Sequence, residues 1–338
     1  MTSGVCGRST VAAMRTPILL LAALAALLVP SAAHAAGSTV AIFGDTPYGA
    51  SQLANFPQDI DDLNADPDVD WAVHVGDIKS GSTQCTDAYF AQIRAQFDRL
   101  ADPLVYTPGD NEWTDCHRPN NGAFDPLERL AKLREVFFDR DYRTLGRPKP
   151  VLSQAWRGLP ENKLWSSSRV VLSSLHVVGS NDSLAPWTGL TAPTAEQQAE
   201  YDARLRGNLE WIAGTFAAAK LTNARAVVLT MQADMWDSFA VAAGQTTAFV
   251  PVVEAIARQA RAFKKPVLLV NGDSHLYVED KPLAAPSTVY PTAAVAPNLT
   301  RITVQGSTNL PRDWLKLDLN TRGPAPLEWS RVPFTSQG

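Results

Sequence analysis

The chain has 338 residues, 45% of them hydrophobic, with 30 Lys and Arg against 34 Asp and Glu for a net charge of −4. That is enough apolar material for one large core or two modest ones. The mild charge and the lack of an extended basic patch give no reason to expect a nucleic-acid partner.

Taken in chain order, the first element is a targeting segment. Arg15 precedes an apolar stretch from Ile18 to Val29, followed by Pro30 and Ala33-His34-Ala35. A positive start, a short apolar run and an A-x-A site form a signal peptide, and the run is too short to span a membrane comfortably. The expectation is a signal peptide over 1–35, cleaved after Ala35, and one domain over 36–338. The mature protein is then secreted or periplasmic, with no membrane association. Cys6 leaves with the leader, and Cys85 and Cys116 remain. In an exported chain such a pair favours a disulfide over two free thiols.

Apolar, β-branched runs predict strands over 38–43, 71–75, 103–107, 169–178, 225–231, 266–271, 300–305, 313–319 and 327–332. Helices are expected over 50–64, 86–101, 126–138, 195–219 and 247–263. The longest starts at an N-cap Thr194. Its apolar face carries Tyr201, Leu205, Leu209, Ile212 and Phe216, with Glu196, Arg204 and Arg206 off that face. Residues 139–168 and 179–193, rich in Pro, Gly, Ser and Trp, read as long loops over a site. Trp113, Trp165 and Trp187 fall in loop regions and are candidates to shape a pocket mouth. Alternating strands and helices followed by a strand-rich last third suggest two sheets inside and helices outside.

Four of the apolar runs end in the same way: Phe43-Gly44-Asp45, Val75-Gly76-Asp77, Pro108-Gly109-Asp110 and Asn271-Gly272-Asp273. Glycine lets the backbone turn sharply, and the Asp then projects from the carboxyl end of a strand, where open α/β sheets bind ligands. Carboxylates converging there repel one another unless a cation joins them, most plausibly a divalent metal.

The order of motifs resembles that of the calcineurin-like metallophosphoesterases. That family shows an Asp-x-His, a Gly-Asp-x-x-acid, a Gly-Asn-His-acid, a lone His after a strand, and a Gly-His-x-His. The matching stretches here are Gly44-Asp45-Thr46-Pro47, Gly76-Asp77-Ile78-Lys79, Gly109-Asp110-Asn111-Glu112, Met231-Gln232-Ala233-Asp234 and Gly272-Asp273-Ser274-His275. The resemblance implies an α/β (α+β) fold, a four-layer αββα metallophosphatase-like sandwich of two mixed β-sheets flanked by helices. It implies a metal site of Asp45, Asp77, Asp110, Gln232, Asp273 and His275, with Asp77 as the bridging carboxylate. Pro47 stands where the family keeps a His, Asp110 where it keeps an Asn ligand, and Gln232 and Asp273 where it keeps His ligands. Asn111 replaces the His that assists the phosphate or its leaving group.

Exchanging imidazole nitrogen for oxygen suits Mn²⁺ or Mg²⁺, with Ca²⁺ or Fe possible and Zn²⁺ disfavoured. The implied activity is metal-dependent hydrolysis of a small phosphoester, with His117 as a replacement acid and Arg118 as a phosphate partner beside Asn111. The alternative is an exported, non-catalytic protein that binds a metal or a phosphorylated ligand on a degenerate site. Tyr48 does not match the spacing at which the purple phosphatases carry their tyrosine and is set aside as an iron ligand. His74 and His176 lie inside apolar runs and read as structural.

Overall fold

A computed structural model describes residues 37–307 and 309–337. The expected signal peptide therefore lies outside the described residues. Among those described, no helix is long and apolar enough to cross a membrane.

Two mixed sheets face each other. The first has six strands in the order β13-β12-β1-β2-β3-β4. Here β1 is Ser38–Phe43, β2 Val69–His74, β3 Pro103–Tyr106, β4 Leu145–Gly146, β12 Asp313–Leu319 and β13 Leu327–Pro333. β1, β2 and β3 run parallel, and the outer strands pair antiparallel. The second sheet has seven strands in the order β10-β11-β9-β8-β7-β6-β5. They are β5 Leu152–Gln154, β6 Leu159–Ser167, β7 Val170–Ser174, β8 Ala226–Thr230, β9 Val267–Asn271, β10 Val278–Asp280 and β11 Leu299–Thr303. Its parallel core is β7, β8, β9 and β11.

The side-chain alternation of the central strands builds the layers. Val40 and Ile42 of β1 and Val73 of β2 point inward, packing with Leu172, Val228, Leu268 and Val270 of the other sheet. Ala41, Phe43 and Ala72 point outward onto helices α1 (Gly49–Ala65), α2 (Asp87–Phe97) and α3 (Pro126–Phe137). On the far side, Val171, Val227, Leu229 and Leu269 pack on α4 (Ala195–Leu221) and α5 (Val250–Phe263). Strands buried on both faces read as continuous apolar runs, which is why they were visible in the sequence.

The stretch 139–168 departs from expectation. It is not a long loop, because it holds β4, β5 and the nine-residue β6. β6 joins β7 through a tight turn at Ser168 and Arg169, both with positive φ. Its Glu161, Asn162 and Lys163 are buried: Glu161 accepts from Arg134 of α3, Asn162 donates to Asn208 of α4, and Lys163 donates to the Asp141 carbonyl. A strand that buries charge lacks the apolar alternation by which strands are recognised. Trp165 lies in β6, stacked on Trp71 between the sheets, and Trp113 is also buried. Only Trp187 of the three candidate tryptophans is partly exposed.

Helix α4 also differs from the expected pattern. Thr194 caps it in a reciprocal box with Gln197, as S/T-x-x-Q predicts. Arg204, however, is fully buried. It pairs with Asp182 and, at 2.8 Å, with Glu200, and it lies over the Trp113 ring. Removing one partner of a buried pair strands the other charge, at a cost of about 3–5 kcal/mol. Arg204→Met is therefore expected to lower unfolding free energy by roughly that amount in urea titration. Adding Asp182→Asn to that variant should recover part of the loss, because the stranded carboxylate is gone.

Candidate active site

The carboxyl ends of β1, β2 and β9, and the loops after β3, β7 and β8, converge at one edge of the sandwich. Asp45, Asp77, Asp273 and His275 all take left-handed backbone angles, with φ of 51°, 57°, 76° and 64°. Each lies in a turn just past a strand, as the Gly-Asp pattern implies. Close approach accompanies the turning. A Cβ at Gly109 would lie 2.1 Å from Asp77 Oδ1, so a larger residue cannot stand there without displacing that carboxylate.

The side chains form two groups that share one member. Ligand atoms of Asp45, Asp77 and His275 lie within 4.8 Å of one another, and so do those of Asp77, Asp110 and Asp273. Asp45, Asp77 and Asp110 are buried, while Asp273 and His275 are partly exposed. His275 Nε2 lies 3.4 Å from Asp45 Oδ1. Burial pulls its pKa down, but the Asp45 hydrogen bond and charge overcome this, so the imidazole titrates above its ordinary value. Asp77 is pushed well above the usual carboxylate range by burial and then by the charges of Asp110, Glu112, Asp45 and Asp273.

Residues outside the expected ligand set complete the site. Tyr48 Oη lies 2.9 Å from Asp77 Oδ2 and 3.2 Å from His275 Nε2, inside the first group. Spacing along the chain gave no sign of this; the turn after β1 brings the ring there. Glu112 Oε1 accepts from the backbone N–H groups of Asp77 at 3.0 Å and Gly109 at 2.7 Å, and from Tyr106 Oη at 2.9 Å. It therefore locks two Gly-Asp turns together. Buried Lys79 donates to the Asn111 carbonyl at 2.6 Å and the Ser80 carbonyl at 3.0 Å. Burial lowers its pKa to about 8 against the pull of Glu112 and Asp77.

The other expected site residues are placed as follows. Asn111 Nδ2 donates to Asp77 Oδ2 at 2.7 Å and its backbone N–H to Asp77 Oδ1 at 3.2 Å. Gln232 donates to Asp110 Oδ1 at 3.1 Å, while its oxygen accepts from Gly179 N at 2.6 Å. It enters the site as a cross-link between loops. Arg118 pairs with Asp115 at 2.6 Å. His117 Nδ1 lies 2.8 Å from Thr188 Oγ1 and accepts from Thr188 N at 2.9 Å, which leaves the ring proton on Nε2. No hydrogen bond joins His117 to the carboxylates among the described residues. Cys85 and Cys116 form a disulfide, as expected, and tie the loops after β2 and β3 together.

His74 sits beneath the site. Its Nε2 lies 3.0 Å from the Thr46 carbonyl, and its Nδ1 accepts from Gly76 N at 3.1 Å. It is a neutral strut between the first two turns. His176 Nδ1 lies 2.7 Å from Glu161, away from the carboxylate groups.

Each of the two groups offers donors that a divalent cation takes. The converging groups are mostly oxygen donors, and the neighbouring basic side chains place their charge elsewhere: Lys79 on carbonyls, Arg118 on Asp115, Arg301 on Asp234 and Asp280. Hard oxygen donors of this kind match Mg²⁺, Mn²⁺ and Ca²⁺.

Comparison with known proteins agrees with this geometry. The sequence model for the calcineurin-like phosphoesterase family matches residues 38–216, and the chain belongs to that family. Similar solved structures include a purple acid phosphatase, PPD1, from yellow lupin (Lupinus luteus) seeds, with a TM-score of 0.54 at 13% identity over 89% of this chain and 52% of that one. This chain thus spans about half the length of the lupin chain, and the likeness is one of fold. Others are GAP50, the anchor in the inner membrane complex of Plasmodium (TM-score 0.49, 10% identity, 90% and 86% covered), and the phosphopantetheinyl hydrolase PptH from Mycobacterium tuberculosis (0.40, 14%, 80% and 90%). No curated protein gives a significant match.

Burial lowers the His74 pKa from its ordinary 6.5 to about 4. Between these values the unfolded chain takes up a proton that the native state refuses, so stability falls as pH drops through the window and the loss is complete below it. That difference corresponds to about 3 kcal/mol. His74→Gln keeps a donor and an acceptor but cannot titrate. Its unfolding free energy should fall less than that of the parent between pH 6.5 and 4, by about that difference.

Proposed function

We propose that this chain is a metal-dependent phosphoester hydrolase that acts outside the cytoplasm as a domain over 36–338 freed from its 1–35 leader. The observation that carries the reading is the shared Asp77, which belongs to both ligand groups. Asp45, Asp77 and His275 would hold one cation, and Asp77, Asp110 and Asp273 the other. Mn²⁺ and Mg²⁺ suit this set better than Zn²⁺. Bound divalent ions supply an acidified water nucleophile and neutralise charge on the phosphoryl oxygens.

The chain's own residues do the positioning. Asn111 and Tyr48 hold the Asp77 carboxylate through hydrogen bonds at 2.7 and 2.9 Å. Glu112 fixes the backbone turns that carry Asp77 and Asp110. Gln232 orients Asp110 and is a hydrogen-bonding residue in this reading. Arg118, held by buried Asp115 and partly exposed, is the cation placed to meet a substrate phosphate. His117 would serve as the acid for the leaving alcohol in its imidazolium form, which gives up the Thr188 N–H bond at Nδ1; burial and Arg118 hold its pKa below the ordinary value, so that form is favoured at acid pH. The disulfide supports an oxidising compartment, secreted or periplasmic.

Purified, metal-stripped protein should regain phosphoesterase activity with Mn²⁺ or Mg²⁺ and only weakly with Zn²⁺. Asp77→Asn should remove most of that activity and weaken metal binding, because both groups lose a shared charge. His117→Ala should slow esters with poor leaving groups far more than nitrophenyl esters; equal losses on both remove His117 from the acid role. Tight metal binding without turnover of any ester would replace this reading by a binding function.

A further inference from the structure

Ser180, Asn181, Asp182 and Ser183, just past β7, take left-handed backbone angles in succession, with φ of 51°, 55°, 50° and 72°. Single left-handed residues are common for Asn and Asp, but a run of four L-residues is disfavoured by sterics and persists only where its surroundings impose it. The restraint comes from both sides. From outside, Arg204 pairs with the Asp182 carboxylate, and it donates to the Asp182 carbonyl at 2.8 Å and Ser183 Oγ at 2.7 Å. Asn181 Oδ1 accepts from Ala248 N at 3.0 Å.

From inside, the turn presses on the second ligand group. A Cβ at Gly179 would lie 2.6 Å from Asp110 Oδ2 and 2.9 Å from Asp273 Oδ1, so only glycine admits the backbone this close. The next residue then delivers a hydroxyl. Ser180 Oγ lies 2.9 Å from Asp110 Oδ2 and 2.8 Å from Asp115 Oδ1. The other oxygen of Asp115 holds Arg118 Nη1 at 2.6 Å. One hydroxyl therefore stands between a member of the second ligand group and the carboxylate that anchors the partly exposed Arg118.

We infer that Ser180 is a positioning residue, held in a strained turn so that its hydroxyl orients Asp110 for cation binding and fixes Arg118 relative to it for phosphate binding. The inference rests on the divalent-metal reading above and adds to it the element that sets the geometry of the second group. An extended turn, with Ser180 free to rotate, would leave the Asp110 carboxylate tied to Gln232 and that of Asp115 tied to Arg118 among the described residues.

The decisive variant is Ser180→Gly. Glycine adopts the left-handed conformation without steric cost, so it removes the hydroxyl while easing the backbone. A purely structural role predicts lower thermal stability and an unchanged Mn²⁺ isotherm by calorimetry. The positioning role predicts unchanged or higher stability with Mn²⁺ affinity at one of two sites weakened about 10- to 100-fold. It also predicts weaker binding of inorganic phosphate to the Mn²⁺-loaded protein. Ser180→Asn, which tolerates the same backbone and offers an amide donor, should restore part of both losses. An unchanged isotherm in Ser180→Gly overturns this inference alone. A parent protein that takes up no divalent ion in the same titration overturns the metal reading and this inference with it.

Discussion

Carboxylates held close together and away from water govern this structure. Asp45, Asp77, Asp110 and Asp273 come from four different strand ends, and Asp77 is shared between two groups. Their mutual repulsion has to be offset, and the nearby basic groups do little of that directly, since Lys79 binds carbonyls and Arg118 binds Asp115. The remaining deficit of positive charge is the physical basis for expecting cations there. It also explains why so much of the surrounding chain serves to hold backbone in place. Glu112 gathers N–H groups from two turns, and His74 links Thr46 to Gly76. Each left-handed non-glycine residue in the site costs of order 1–3 kcal/mol and is kept only because its neighbours fix it.

The sandwich supplies the rigidity that this demands. Parallel strands in both sheets end at the same edge, so residues far apart in the chain meet without long loops. Asp45 lies 3.0 Å from the backbone N–H of Asp273 although 228 positions separate them. A second, buried polar system lies beside the site. Arg134, Glu161 and His176 join α3, β6 and the end of β7, and Arg204 and Asp182 join α4 to the left-handed turn. Glu161 is held well below the usual carboxylate range, because Arg134 and His176 outweigh the effect of its burial. This network carries no residue of either ligand group, yet it anchors the turn that presses on Asp110.

The chain keeps the family's order of strand-end motifs while exchanging several imidazoles for oxygen donors. On the proposed reading that exchange favours Mn²⁺ or Mg²⁺ on the same scaffold, since a carboxylate can project from the same turn as a histidine. Asn111, where the resemblance implies a histidine, donates to both Asp77 and Tyr48, and Tyr48 in turn donates to Asp77. The disulfide between Cys85 and Cys116 closes a separation of 31 residues across the second and third motif loops. By loop-closure entropy it stabilises that region by roughly 3–4 kcal/mol.

The central strands, the helices that flank them, the Gly-Asp turns and the cysteine pairing were all legible in the sequence. Each depends on local physics: apolar runs buried on both faces, glycine's freedom to turn, and the few cysteines left to pair. The residues that reach the site without a local signature were not legible. Tyr48 was set aside on spacing, yet its ring turns into the first ligand group. Arg204 was placed off the buried face of its helix, although Asp182, from a distant loop, makes its burial tolerable. The β6 segment reads as loop because its strand buries Glu161, Asn162 and Lys163, whose partners lie in other elements. Sequence by itself determined the central strands, their flanking helices and which carboxylates stand at strand ends. Only the tertiary structure decided which of those carboxylates share a neighbour and which buried charges find a partner, because both depend on distances between residues that the chain order keeps far apart.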